Sequence, residues 1–219
     1  RFYNNCRIWE DDVTTKNWYP DELAVPENGT EATIECLKKL YNPKQHFCYS
    51  EFGIYKADTA RRVCENFPNA TLHLFDYENA IESAKFKLQC FSNKIFYYSN
   101  SQKYNDSYNW NLGMLSLEGG GAPLFDYCFL DGAHTFAVDA LNFFLCDKLT
   151  RVGGFIDFDD YHWSLKGSSL DPTLVPAIAD QYTDEQINTK QVQLIVDGLV
   201  KTDKRYVEVV PNKLYQKVG

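Results

Sequence analysis

The residues best suited to chemistry in this chain fall in two clusters, Asp131-Gly132-Ala133-His134 and Asp159-Asp160-Tyr161-His162. Carboxylates are hard oxygen donors that suit a small divalent cation such as Mg2+, completed by water and substrate. Imidazoles titrate near neutrality, so a placed histidine can take a proton from a reacting hydroxyl. Asp131, Asp159 and Asp160 are therefore the candidate metal ligands, and His134 and His162 the candidate bases. Each has a plainer alternative. Asp131 could cap the helix that follows it, Asp159 and Asp160 could accept from loop amides, and His162 could be pocket wall beside Tyr161 and Trp163.

Both clusters close short apolar runs, Tyr127–Leu130 and Phe155-Ile156-Asp157-Phe158. Runs this short, flanking a helix-length segment, read as buried parallel strands of a β-α-β unit. Between them Ala137, Ala140, Leu141, Phe144, Leu145 and Leu149 recur at helical spacing, and Gly153-Gly154 is expected to stop that helix. A crossover of this kind puts both strand ends on one edge of the sheet, about 5 Å apart if the strands are neighbours. The ligand edge of an open α/β sheet is where those carboxylates and imidazoles would converge. Asp157 alternates with Phe158 and is expected on the opposite face, paired there.

Upstream, a helix capped by Thr30 and running through Tyr41 precedes a strand Phe47–Phe52, whose exit Glu51-Phe52-Gly53 leads into a helix through Phe67. A glycine turn from strand to helix lets backbone approach a ligand and aims helix N–H groups at it. The strand Thr71–Phe75 ends in Asp76, at the spacing that holds ribose hydroxyls in nucleotide-binding α/β folds; capping the next helix is the alternative. A third strand, Lys94–Tyr98, leads to Ser99-Asn100-Ser101, and a helix lies between Tyr104 and Leu117. Beyond Trp163, residues 165–180 are irregular, a candidate lid. A last helix starts at Asp184, and Tyr206–Val210 pairs with Lys213–Val218 as a hairpin.

The 219 residues suit one α/β domain, divided here into an N-terminal arm with a covering helix (1–45) and a Rossmann-like domain (46–219). A net charge of −8 argues against a broad nucleic-acid or anionic-membrane surface. No apolar run is long enough to span a bilayer. Seven scattered cysteines without a Cys-x-x-Cys pair read as small hydrophobes rather than zinc ligands or disulfides, which implies a reducing, cytoplasmic setting. The first residue is Arg, so the natural N-terminus is expected to lie elsewhere. A nicotinamide or flavin oxidoreductase would need Gly-x-Gly-x-x-Gly where the chain has Gly53-Ile54-Tyr55-Lys56-Ala57-Asp58.

At this point the chain resembles class I S-adenosylmethionine-dependent methyltransferases over roughly Cys48 to Val218. The resemblance is carried by Glu51-x-Gly53, Asp76, the segment from Asp126 through Leu130-Asp131-Gly132-x-His134, and Gly153-Gly154-x-Ile156 through Asp159-Asp160. Asp-Gly-x-His and Asp-Asp-Tyr resemble a small bacterial and viral subgroup and are similar to metal-dependent sugar O-methyltransferases of the macrocin type. The resemblance implies a doubly wound seven-stranded sheet in order 3-2-1-4-5-7-6, its last strand antiparallel. It also implies S-adenosyl-L-methionine as cofactor, with Mg2+ a candidate assistant and a sugar, glycan or other small hydroxylated molecule as acceptor. Glu51, Gly53 and Tyr55 would lie at the methionine end, Asp76 on the ribose, Ser101 near the adenine and Asp131 beneath the sulfonium. The family's second glycine is replaced by Ala57, whose Cβ is expected to narrow the cofactor site. A degenerate fold serving as a binding or assembly module is the alternative.

Overall fold

The computed structural model describes residues 29–103 and 105–219; the expected covering arm and Cys6 lie outside them. Seven strands, β1 (Cys48–Phe52), β2 (Thr71–Tyr77), β3 (Lys94–Asn100), β4 (Phe125–Leu130), β5 (Thr150–Phe158), β6 (Tyr206–Val210) and β7 (Leu214–Lys217), form one sheet. Their order is β3-β2-β1-β4-β5-β7-β6, with β7 antiparallel to both neighbours, as expected. Helices α1 (Gly29–Leu40), α2 (Asp58–Asn66) and α3 (Glu78–Leu88) bury Ile34, Leu37, Val63, Ile81 and Leu88 on one face of the sheet. The other face is covered by α4 (Tyr108–Glu118), α5 (Phe136–Leu149), α8 (Gln191–Ile195) and a π-helical turn (Val196–Val200). Two further short helices, α6 (Ala177–Gln181) and α7 (Asp184–Asn188), belong to the segment after Trp163. Their own small cluster is Leu165, Ile178 and Ile187.

Several sequence expectations are corrected. Thr30 lies within the first turn of α1 instead of capping it, and its hydroxyl meets that of Thr59 at 2.7 Å. The single helix expected from Asp184 is broken at Thr189-Lys190 into α7, α8 and the π turn. Gly153-Gly154 does not stop α5, which ends at Leu149 and passes straight into β5. The pair sits where β5 departs from β4 between the pairings Phe125–Thr150 and Tyr127–Phe155. A Cβ on Gly154 would meet Thr150 Cγ2 at 2.8 Å and Asp126 O at 3.0 Å, so this irregularity requires glycine. Of the expected α5 stripe Ala140 and Leu149 are buried and Leu145 is partly buried, but Leu141 and Phe144 are exposed, and Asp139, Asn142 and Phe143 face inward.

Asp157 lies on the sheet face opposite Phe158 and is paired there, as its alternation predicts. Its carboxylate meets Lys213 Nζ at 2.8 Å and accepts from the Thr33 hydroxyl at 2.8 Å and the Tyr127 hydroxyl at 2.5 Å. Lys213 is 2% exposed and Asp157 fully buried. Two charges so far from water persist only because each neutralises the other, and Asp157 Oδ2 also accepts from two hydroxyls. The pair fastens α1 and the turn before β7 to the middle of the sheet.

Removing one partner strands the other charge. Lys213→Met should cost about 3 kcal/mol or more in chemical denaturation, and adding Asp157→Leu should recover part of that loss. A double variant less stable than the sum of the singles would contradict a charge-pairing role.

Candidate functional site

The parallel ladders continue one residue beyond the strands and fix the loops that leave them. Gly53 N donates to Phe75 O at 2.9 Å, Asp131 N to Phe52 O at 3.0 Å and Asp159 N to Leu130 O at 3.0 Å. The sheet order reverses between β1 and β4, where open α/β sheets place their ligands. Gly53 has φ +87°, and a Cβ there would lie 2.1 Å from Asp131 O and 2.6 Å from Gly132 Cα. The turn after β1 therefore rests directly on the loop after β4.

Four of the five described non-glycine residues with positive φ border this edge: Tyr55 (44°), Ala57 (56°), His134 (54°) and Asp160 (57°). Left-handed backbone costs a residue with a Cβ about 1 kcal/mol or more, and such strain concentrates at functional sites. The Ala57 Cβ, expected to intrude on the cofactor, is instead fully buried in the core with Val63, Cys64 and Leu74. Its conformation retains the glycine-like turn.

Asp131, His134 and Asp160 converge. One ligand atom from each lies within 4.8 Å of the other two. His134 Nε2 is 3.7 Å from Asp131 Oδ1 and 3.6 Å from Asp160 Oδ2, too long for hydrogen bonds but suited to an interposed cation. The Trp163 ring packs 5.1 Å from the imidazole. Among the expected ligands, Asp159 is not in this cluster. Its Oδ1 accepts at 2.9 Å from Gly29 N, the first amide of α1 rather than a loop amide, at the positive end of that helix's dipole. His162 is exposed, is not part of the cluster, and meets the Tyr161 ring edge-to-face at 4.8 Å. Asp131 does not cap α5, whose N-cap is Thr135.

The other expected residues line the same edge. Asp76 Oδ2 accepts from Ile54 N and Tyr55 N, both at 2.8 Å, and Oδ1 accepts from Tyr77 N at 2.6 Å. Asp76 thus holds the glycine turn and keeps accepting capacity on Oδ1. The alternative that it caps α3 is not what is observed, since Tyr77 is that helix's N-cap. Tyr55 stands 75% exposed at the rim. Ser101 is fixed by its hydroxyl and backbone N–H, each donating to Asp106 Oδ2 at 2.7 Å. Glu51 is buried under the turn and accepts from the Tyr49 hydroxyl at 3.0 Å.

Two supports were not foreseen. The Tyr108 hydroxyl donates to Asp139 and accepts from Ala133 N at 3.2 Å, and Asp139 also takes backbone N–H groups of His134 and Thr135. Gly132 needs to be glycine here, because a Cβ would strike the Tyr108 hydroxyl at 2.6 Å. The available signal was an aspartate and an asparagine, Asp139 and Asn142, interrupting an apolar helix.

The edge is strongly acidic. Burial pushes the Asp131 carboxyl up to about 9, reinforced by Asp159, Glu51 and Asp160. Burial likewise pushes Glu51 up to about 8, against the pull of the Tyr49 hydroxyl. Asp160 is raised by burial and by Asp159, with His134 opposing. Such a site gains by binding positive charge.

No family model matches the sequence, and no curated protein matches it. Solved structures do. The O-methyltransferase TomG of Streptomyces achromogenes, involved in tomaymycin synthesis and bound to S-adenosylmethionine, matches with a TM-score of 0.58 at 18% identity, covering 90% of this chain and 82% of that one. An O-methyltransferase of Bacillus cereus bound to S-adenosylhomocysteine gives 0.57 at 14%, over 91% and 86%. A candidate rRNA methylase of Clostridium thermocellum gives 0.59 at 10%, over 90% and 99%. The chain therefore has the Rossmann-like fold of class I methyltransferases. Among the described residues no helix is long and apolar enough to cross a membrane.

The acidic edge makes a prediction about pH. Asp131 and Glu51 titrate far higher in the folded chain than the value of roughly 4 expected when unfolded, so folding takes up protons between roughly pH 4 and 9. Their contribution to stability is full below that window and is lost as pH rises through it. The Tm should fall from about pH 5 to about pH 9, and less steeply for Asp131→Asn. Equal slopes in both proteins would contradict the shift.

Proposed function

We propose that the chain is an S-adenosylmethionine-dependent O-methyltransferase acting on a small hydroxylated acceptor, a sugar or glycan. The observation that carries this reading is the glycine turn after β1 seated on the Asp131–His134 loop, beside an acidic cluster at the reversal point of this sheet order. Bound there, S-adenosylmethionine would supply an electrophilic methyl group on a sulfonium. Glu51, Gly53 and Tyr55 are proposed at its methionine end, Asp76 on the ribose, Ser101 near the adenine and Asp131 beneath the sulfonium. Ala57 supports this reading, because its Cβ is packed into the core.

In-line displacement needs the acceptor hydroxyl aligned and its proton removed. Asp131 and Asp160 offer two carboxylates to a divalent ion, which fits hard oxygen ligation and would lower the pKa of a coordinated hydroxyl. His134 Nε2, flanked by those carboxylates, is the proposed proton acceptor at the acceptor oxygen, and the Trp163 ring limits water at its side. One lone pair on Nε2 serves either as base or as ligand. His134→Ala distinguishes the roles: a base loses turnover with metal affinity intact, whereas a ligand loses both.

Calorimetry with S-adenosylmethionine, with and without Mg2+, tests the proposal. Saturable binding that Asp76→Ala weakens at least about tenfold is expected. Absence of binding in both conditions would leave the alternative, a degenerate fold retained as a binding or assembly module. Binding unaffected by chelator and by Asp160→Ala would remove only the metal.

A further inference from the structure

Helix α5 is apolar on both sides. Its inward face contains Phe143 and Cys146 but also buried Asp139 and Asn142, while Phe136, Leu141 and Phe144 are exposed by 41%, 50% and 53%. Adjacent α4 has the same character, with Trp110 (68%), Met114 (38%) and Leu117 (74%) forming an i, i+4, i+7 stripe toward solvent. The two helices lie side by side, with Asn109 Nδ2 in the first turn of α4 donating to Val138 O in the first turn of α5 at 2.9 Å. A surface helix of a globular protein normally turns a polar face outward, and one that is apolar all round is covered on both sides.

This face also lacks charge. No charged residue occurs from Tyr108 to Leu117, Asp139 is buried, and Asp147 is paired with Arg205 and Lys217. Only Glu118 and Lys148, at the far ends of the two helices, remain. Depletion of charge with enrichment in Trp, Phe and Met marks the core of a protein interface.

We infer that the α4–α5 face is the contact between two copies of this chain, related by a two-fold axis. Area decides for a second copy. Large apolar side chains present roughly 150–250 Å2 each when fully exposed, so the six residues contribute about 600 Å2 of apolar surface. A stable interface takes about 800 Å2 per partner, about two thirds of it apolar in homodimers. A two-fold axis sets the same stripe against itself, Trp110 and Phe144 of one copy on those of the other, with no charge to repel. The face lies across the sheet from α1.

Sedimentation equilibrium of the full chain across a dilution series tests this, with hydroxyl-radical footprinting of Trp110 on the same samples. The expected result is a dimer whose dilution exposes Trp110, and a dissociation constant raised about thirtyfold or more by Leu141→Glu or Phe144→Glu. Because the substituted side chains are half exposed, circular dichroism should confirm an unchanged fold. The wild-type footprint needs no variant. A monomer at every concentration overturns the inference, including one whose Trp110 is protected throughout by residues 1–28 or is bound by a foreign partner. A dimer indifferent to both variants also overturns it, since the contact would then lie elsewhere.

Discussion

The candidate site depends on one backbone contact, the turn at Gly53 lying against the Asp131–Gly132 peptide. No side chain fits between them: a Cβ at Gly53 would sit 2.1 Å from the Asp131 carbonyl oxygen. This contact brings Glu51 and Asp131 to the same edge and leaves Asp76 to gather the amides of Ile54 and Tyr55. On the other side, Gly132 allows the Tyr108 hydroxyl to reach Ala133 N and Asp139. The loop between two glycines is thus held from below by β1, from one flank by α4 and from the other by the ladder to β5.

Holding this edge together carries energetic costs. Tyr55, Ala57, His134 and Asp160 are left-handed without being glycine, each at about 1 kcal/mol or more. Several carboxylates also face one another, and burial holds Asp131 and Glu51 well above the ordinary carboxylate range. The offset lies in the body of the sheet, where Phe52, Phe75, Tyr127 and Phe129 are fully buried and Lys213 neutralises Asp157. Strain that persists because surrounding packing over-determines it is preorganisation.

The sheet was readable because its strands are short apolar runs ending in carboxylates or glycine, and local pattern determines such runs. Sheet order came from family resemblance, and the structure has the same order. Asp131, Asp160 and His134 were foreseen and do meet. Asp159 was assigned to a metal because adjacent residues at a strand end cannot be told apart by spacing; the start of α1, 130 residues away in sequence, claims it. In the turn after β5 Tyr161 is buried and His162 exposed, a difference that spacing does not reveal either. Asp139 and Tyr108 were invisible, because their pairing joins two helices that no local pattern relates. On α5, Ala140 and Leu149 are buried as expected, but Leu141 and Phe144 lie outward, because the helix is apolar on both sides and periodicity alone cannot resolve its faces.

The central claim is that the space beside the Gly53 turn is a nucleoside sulfonium site. A crystal structure of the chain grown with S-adenosylhomocysteine tests it most directly. The account predicts the homocysteine moiety beside Glu51 and Gly53, the ribose hydroxyls on Asp76 and the adenine near Ser101, with the left-handed turn at Ala57 unchanged. The ligand bound elsewhere, or an edge that excludes it at saturating concentration, would contradict the account.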